Sequence, residues 1–215
     1  MDKLGPKIGI LGGTFDPPHL AHLRIAEEVR VNFSLDEVWF IPAGFPPHKK
    51  ELLASFEDRY HMLFLSIKDN PYFKVLDLER EEKPSYTLKT LKKLKVSYPN
   101  YKFFLIIGWD SFEEFQTWWH YEEFLDFTHL VVVSRGYRNW ENIYESFYQK
   151  AKELWPKVEN LDKKVYFLRV FPLEISSTKL REFKKKKQSI RYLVPEEVYF
   201  YIEKKGLYKE DERLG

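Results

Sequence analysis

His19 and His22 follow a double glycine, Gly12-Gly13, and the run Thr14-Phe15-Asp16-Pro17-Pro18. The apolar residues before the glycines read as a strand, and those after Pro18 as a helix. The two histidines then project from one side of the helix's first turn. Glycines at such a place let backbone approach a ligand closely. Asp16 is suited to cap the helix, and proline to begin it. A helix N-terminus presents N–H groups and partial positive charge, which favour anions. Imidazoles beside it can donate to phosphate oxygens as charge develops on them. Alone, a His-x-x-His is more often a pair of surface histidines; the strand, glycines and helix start around this one turn it into a phosphate-handling site. No third zinc ligand is evident, and neither the Gly-x-Gly-x-x-Gly of dehydrogenases nor the Gly-Lys-Ser/Thr of a P-loop occurs here.

A second group lies far along the chain: Ile175-Ser176-Ser177-Thr178-Lys179-Leu180-Arg181. Its hydroxyls can cap a helix or donate to phosphate oxygens. Arg181, one turn beyond Ser177, can add a two-pronged contact. By itself this is a plain helix cap with a surface arginine. Beside a first anion site it becomes the second half of one.

The elements around these groups alternate between apolar runs and amphipathic segments. Strands are expected at residues 7–11, 37–41, 73–76, 102–107, 129–134 and 165–170. Helices are expected at 18–33, 56–68, 86–96, 177–185 and 195–204. In the first helix Ala21, Ile25, Val29 and Phe33 share a face. The runs at 102–107 and 129–134 are apolar throughout, as in strands covered on both faces. This order predicts an α/β fold: a Rossmann-like, doubly wound, mainly parallel sheet with helices on both faces. Ligands of such sheets bind beyond the carboxyl ends of the strands, where both phosphate groups would lie. The length of 215 residues suits a single domain over 1–215 with a C-terminal helical part at about 176–206. Segment 136–164 reads as an aromatic-rich insertion without an assigned job.

Composition narrows the function classes. The 35 Lys and Arg against 33 Asp and Glu leave a charge of +2, so no nucleic-acid or membrane partner is implied. Without cysteine there are no disulfides, thiolate zinc sites or thiol nucleophiles. Neither a signal-peptide pattern nor an apolar run of membrane-spanning length is present, and a cytoplasmic location is expected.

Taken together, Gly12-Gly13-Thr14-Phe15-Asp16-Pro17 with His19-x-x-His22, and Ile175-Ser176-Ser177-Thr178 with Arg181, resemble the two signature boxes of the adenylyl- and cytidylyltransferase superfamily. Within it the chain is most similar to bacterial nicotinate-nucleotide adenylyltransferases. Supporting pieces run along the whole chain: Pro46-Pro47-His48-Lys49, Ser85-Tyr86-Thr87-Leu88-x-Thr90-Leu91, Ile107-Gly108-x-Asp110-Ser111-Phe112, Thr117-Trp118, Arg135, and Tyr192-Leu193-Val194-Pro195 with Tyr201-Ile202. One departure is Ala21, where the superfamily box usually has glycine.

The resemblance implies transfer of AMP from ATP to nicotinate mononucleotide with release of pyrophosphate, a step of NAD biosynthesis. Catalysis is then positioning and charge stabilisation, with no protein nucleophile. It implies that His19, His22 and Arg181 are catalytic, with His22 the main stabiliser of the transition state. Gly12, Gly13, Thr14 and Phe15 would line the ATP site, and Gly108 and Asp110 would contact the adenosine. Ser176, Ser177 and Thr178, with Arg181, would hold the β- and γ-phosphates. For the mononucleotide it implies Trp118 stacked on the pyridine ring; in an aromatic-rich chain the neighbouring Trp119 reads as a plain core residue. Tyr86 and Thr87 would present N–H groups to the carboxylate, and Lys49 and Arg135 would take the phosphate. Mg²⁺ would bridge the ATP phosphates without a protein ligand cluster. A homo-oligomer is compatible with this reading. The alternatives are a pantetheine-phosphate adenylyltransferase, which usually has Thr for the first histidine and a shorter chain, and a nucleotide-binding regulator without catalysis.

Overall fold

The computed structural model describes residues 5–46, 52–134 and 140–209. Its elements, in order, are β1 (Lys7–Gly13), α1 (Leu20–Phe33), β2 (Glu37–Pro42), α2 (Phe56–Ile67), β3 (Phe73–Val75), α3 (Thr87–Ser97), β4 (Lys102–Gly108), α4 (Trp109–Glu113), α5 (Phe124–Phe127), β5 (His129–Ser134), α6 (Trp140–Leu154), β6 (Val165–Arg169), α7 (Ser177–Lys185) and α8 (Glu196–Lys205). The strands form a six-stranded parallel sheet in the order β3-β2-β1-β4-β5-β6, with helices around it, as expected of a Rossmann-like α/β fold. The sequence of 3-2-1 followed by 4-5-6 places the reversal of strand order at β1 and β4. Loops after such strands diverge and leave room for a ligand.

By its packing the chain divides into two compact units that alternate along the sequence. The first comprises Met1–Gly12, Ile25–Trp39 and Tyr86–Pro172. Its β1, β4, β5 and β6 pair in parallel, with Ile8 opposite Phe103, Leu105 opposite Leu130 and Val132 opposite Phe167. Phe103 through Ile107 and Leu130 through Val133 are all buried, which accounts for their unbroken apolar run. Segment 136–164, unassigned in the sequence, supplies α6 to this unit. Phe147 stacks on Phe167 of β6 with ring centroids 4.9 Å apart, and Trp155 packs against Phe115 at 5.5 Å. Burying each such ring is worth roughly 2–3 kcal/mol. Phe147 and Trp155 are therefore core residues. The outer face of α6 holds a shallow hollow between Tyr144, Tyr148 and Lys152, lined by that helix alone.

The second unit comprises Gly13–Arg24, Phe40–Ser85 and Leu173–Gly215. Its core gathers Ala54, Met62, Leu180, Ile190, Val194, Val198, Ile202 and Tyr208. Ser55 caps α2, accepting from the Asp58 N–H at 3.0 Å, and Glu57 and Asp58 place negative charge in its first turn. Ser176 caps α7 in the same way, accepting from the Lys179 N–H. At the other end α8 stops at Gly206, whose φ of 65° suits glycine, and the chain turns Tyr208 into the core. No helix of the described residues is long and apolar enough to cross a membrane.

Candidate active site

The loop after β1 carries the histidine pair. His19 is buried and His22 half-buried, their rings stacked at 3.7 Å with 19° between planes. The backbone N–H of His19 donates to Nδ1 of His22 at 3.2 Å. Because a backbone N–H can only donate, that nitrogen is an acceptor, and a neutral His22 carries its proton on Nε2. The local fold thus selects the tautomer with its proton on Nε2. Phe15, at φ 51° and buried, packs edge-on to His22 at 5.0 Å. A Cβ on Gly13 would come within 3.2 to 3.4 Å of this same ring, whereas one on Gly12 would meet nothing within 4 Å among the described residues. Gly13 therefore makes room for Phe15, and Gly12 is the glycine with open space beside it.

Asp16 does not cap α1. Its carboxylate is turned inward and accepts from the N–H groups of Leu53 and Ala54 and from the Tyr208 hydroxyl. The first N–H groups near the α1 start are met otherwise, His19 by His22 and Leu20 by the carbonyl of Leu193 at 3.1 Å. A carboxylate can serve either a neighbouring helix end or three distant donors, and here the distant donors prevail. Ala21, the departure from the superfamily box, has its methyl buried at 1% exposure on the core face of α1 with Ile25 and Val29. It faces protein.

The second box reaches this loop directly. Arg181 Nη1 donates to the carbonyl of Asp16 at 2.7 Å, and its Nη2 to Oγ1 of Thr178 at 3.3 Å. Ser177 Oγ donates to the carbonyl of Pro17 at 2.8 Å. Segments about 160 residues apart in sequence are thereby joined through two bonds. The hydroxyl of Ser177 is engaged with the loop, so the donors that α7 offers outward are the backbone N–H groups of its first turn. These precede the first intrahelical bond, from Leu180 N–H to the Ser176 carbonyl. Arg181 has five N–H groups, more than its two bonds use. Arg59, which sequence reading passed over, completes the cradle: buried to 1% exposure, it donates from Nη1 to the Thr14 carbonyl at 2.8 Å. Burial pulls its pKa down, and the nearby Asp16 charge works the other way.

The other expected residues sit on the first unit. Gly108 precedes α4, with Asp110 exposed in its first turn. Tyr86 is the N-cap of α3 and makes no side-chain capping bond; Thr87 is the first helical residue. Ser85, just before them, belongs to the second unit: it accepts from the Phe45 N–H at 2.8 Å and donates to the Glu82 carbonyl. Trp118 is half-buried, stacked on Phe115 at 4.9 Å and edge-on to Phe124. Trp119 is not the core residue expected: it is 37% exposed and stacks on Tyr86 at 5.2 Å. Lys89 lies 5.3 Å from the Tyr86 ring and 5.5 Å from that of Trp119, close enough for cation–π attraction. Lys49 and Arg135 fall outside the described residues.

Comparison with known proteins identifies the family. The family described as "Cytidylyltransferase-like" matches residues 10–183, which include both boxes. A curated Geobacter metallireducens protein named "Probable nicotinate-nucleotide adenylyltransferase" is 42% identical over 217 residues, covering 95% of this chain and 99% of its own. One from Desulfitobacterium hafniense with the same name is 42% identical over 205 residues, covering 94% and 96%. The chain belongs to the nicotinate-nucleotide adenylyltransferase family. Its fold is also that of a solved Plasmodium falciparum nicotinic acid mononucleotide adenylyltransferase complexed with NaAD, with a TM-score of 0.76 over 94% of this chain and 97% of the other, at 24% identity. Membership of the nicotinate-nucleotide adenylyltransferases makes the chain a nucleotidyltransferase of NAD biosynthesis and disposes of the regulator alternative.

Proposed function

We propose that this protein transfers AMP from ATP to nicotinate mononucleotide through the loop that carries His19 and His22. The observation that carries this reading is the pair of bonds from Arg181 to the Asp16 carbonyl and from Ser177 to the Pro17 carbonyl. They bring one anion-binding helix start against the loop that leads into another.

The mononucleotide's phosphate oxygen attacks the α-phosphorus of ATP. As that P–O bond forms, the bond to the bridging oxygen breaks, and pyrophosphate leaves with the electron pair. Charge gathers on the phosphoryl oxygens, and His22 Nε2–H donates to one of them; His19 sits beside it against the same phosphate. Arg181 and the first-turn N–H groups of Ser177 and Thr178 take the β- and γ-phosphates, with Ser176 shaping that turn. Gly12, with open space where a side chain would be, allows close approach of the nucleotide, with Thr14 beside it. Gly108 and Asp110 contact the adenosine. A divalent cation such as Mg²⁺, bound with ATP, would offset phosphate charge. Among the described residues no three His, Asp or Glu gather as metal ligands, and a cation carried by phosphates and water needs none.

On the acceptor side, Trp118 stacks on the pyridine ring and the α3 start at Tyr86 and Thr87 receives the carboxylate. The positive charge of Lys89 beside Tyr86 supports an acid over an amide there. Lys49 and Arg135 serve the mononucleotide phosphate. A chain without cysteine suits the reducing cytoplasm to which we assign the reaction.

The test is pyrophosphate release from ATP and Mg²⁺ with nicotinate mononucleotide, nicotinamide mononucleotide or phosphopantetheine supplied separately. Release should be far faster with the first. Release with phosphopantetheine alone would keep the phosphate roles and overturn those of Trp118, Tyr86 and Thr87.

A further inference from the structure

The carboxylate of Asp16 is buried to 2% exposure, and three donors converge on it. Leu53 N–H reaches Oδ2 at 3.0 Å; Ala54 N–H and the Tyr208 hydroxyl reach Oδ1 at 3.2 and 2.7 Å. Only an acceptor on both oxygens satisfies this set, so an amide at position 16 would set its NH₂ against a donor. Tyr208 is itself buried, at 6% exposure, in the core formed by α2, α7 and α8. Burial, with the Asp16 charge and hydrogen bond adding to it, pushes the Tyr208 pKa far above the usual phenol range, so the hydroxyl keeps its proton and donates.

The same stretch of loop is held at neighbouring points. Arg59 holds the Thr14 carbonyl, Arg181 that of Asp16 and Ser177 that of Pro17. Asp16 thus carries the carbonyl that orients Arg181, stands between those held by Arg59 and Ser177, and lies three residues before His19. Its side chain is the attachment of this loop to the core, and Tyr208 makes the shortest of its three bonds.

We propose that Tyr208 is a positioning residue for adenylyl transfer: its hydroxyl, through Asp16, sets the loop that carries His19 and the carbonyl that orients Arg181. Tyr208 touches neither substrate. A loop displaced by a fraction of an ångström would still bind ATP and still fold, yet would misplace the donors for the charge that develops in transfer. The proposal rests on the catalytic reading of the histidine loop given above.

The experiment is steady-state kinetics of the full chain, following pyrophosphate release from ATP, Mg²⁺ and nicotinate mononucleotide, alongside thermal melting. Tyr208→Phe removes one hydroxyl. It is expected to lower kcat by about tenfold or more while the KM for the mononucleotide changes by less than about twofold. Tyr201→Phe is the control: its hydroxyl also donates to a carboxylate at 2.7 Å, that of Asp58 on α2, and has no bond to the loop. It should lower the melting temperature about as much and leave kcat unchanged. Asp16→Asn should lower kcat likewise, and adding Tyr208→Phe to it should cost little more, since both act through one bond. Should Tyr208→Phe fail to fold, Leu53→Pro deletes another donor to Asp16 from an exposed residue and is expected to show the same fall in kcat. A folded Tyr208→Phe protein, or failing it Leu53→Pro, with wild-type kcat would overturn the proposal and leave the histidine assignment standing. Wild-type protein that releases no pyrophosphate with this acceptor would overturn both.

Discussion

His22 makes two separable contributions, one through each ring nitrogen, and substitution can divide them. Nδ1 accepts from the His19 N–H at 3.2 Å, and the ring stacks on His19 at 3.7 Å. Losing that neutral bond in a half-buried ring costs about 1 kcal/mol. In a chain of this size that is a fall of roughly 2–4 °C in melting temperature. Nε2 is assigned to the transferring phosphate, and loss of one preorganised donor there costs about 2.7–4 kcal/mol of transition-state stabilisation, some 10²–10³ in kcat. The catalytic effect should therefore far exceed the structural one. In His22→Asn the amide oxygen falls near the Nδ1 position, so the bond from His19 and most of the stability should return while kcat stays as low as in His22→Ala. In His22→Gln the amide NH₂ falls near the Nε2 position, and kcat should recover in part. The assay is pyrophosphate release at saturating ATP and nicotinate mononucleotide, with a melting curve for each protein. Near wild-type kcat in His22→Asn would refute the reasoning, because the Nδ1 bond alone would then account for all that His22 does.

Arg181→Lys keeps the charge but loses the planar fork that bonds Asp16 and Thr178 together; the KM for ATP should rise by about tenfold or more, and an unchanged KM would remove Arg181 from the phosphate site. Trp118→Ala should raise the KM for nicotinate mononucleotide with that for ATP unaltered; a defect confined to ATP would contradict the stacking role. For Asp58, burial alone would raise the pKa, but hydrogen bonds from Tyr201 and Ser55 and the charge of Lys205 outweigh it and hold the carboxyl below its ordinary value. Its contribution is then complete above the unfolded carboxylate range and is lost as the pH falls through the folded pKa. The partner phenol of Tyr201, mainly through burial and then the Asp58 bond, is pushed up to about 12, so its share persists until the pH climbs past the ordinary tyrosine range. The loss of melting temperature in Tyr201→Phe should accordingly be larger at pH 7 than at pH 3, and an equal loss at both would refute the charge-assisted bond.

The two phosphate boxes were legible because each announces a helix start in local sequence: a double glycine and proline before one, three hydroxyls before the other. The buried strands β4 and β5 were legible from their unbroken apolar runs. The role of Asp16 was not. A carboxylate before a proline and a helix reads as a cap, and nothing local reveals the donors waiting at Leu53, Ala54 and Tyr208. Arg59 was hidden for a related reason, since an arginine in an amphipathic helix reads as solvated surface until tertiary packing buries it. Trp118 and Trp119 are adjacent and chemically identical, so their exposures had to come from the fold. Helix α6 carried a signal that went unread: Ile143, Phe147, Ala151 and Leu154 recur at helical spacing, and the last three are buried, with Phe147 stacked on β6.

The bond between Asp16 and Tyr208 closes a span of 192 residues, and the bonds of Arg181 and Ser177 to the loop close spans of 165 and 160. Closing spans of this length carries a loop-closure entropy that contacts within a helix do not. The loop between β1 and α1 is thus set as firmly by residues 177–208 as by its own neighbours in sequence.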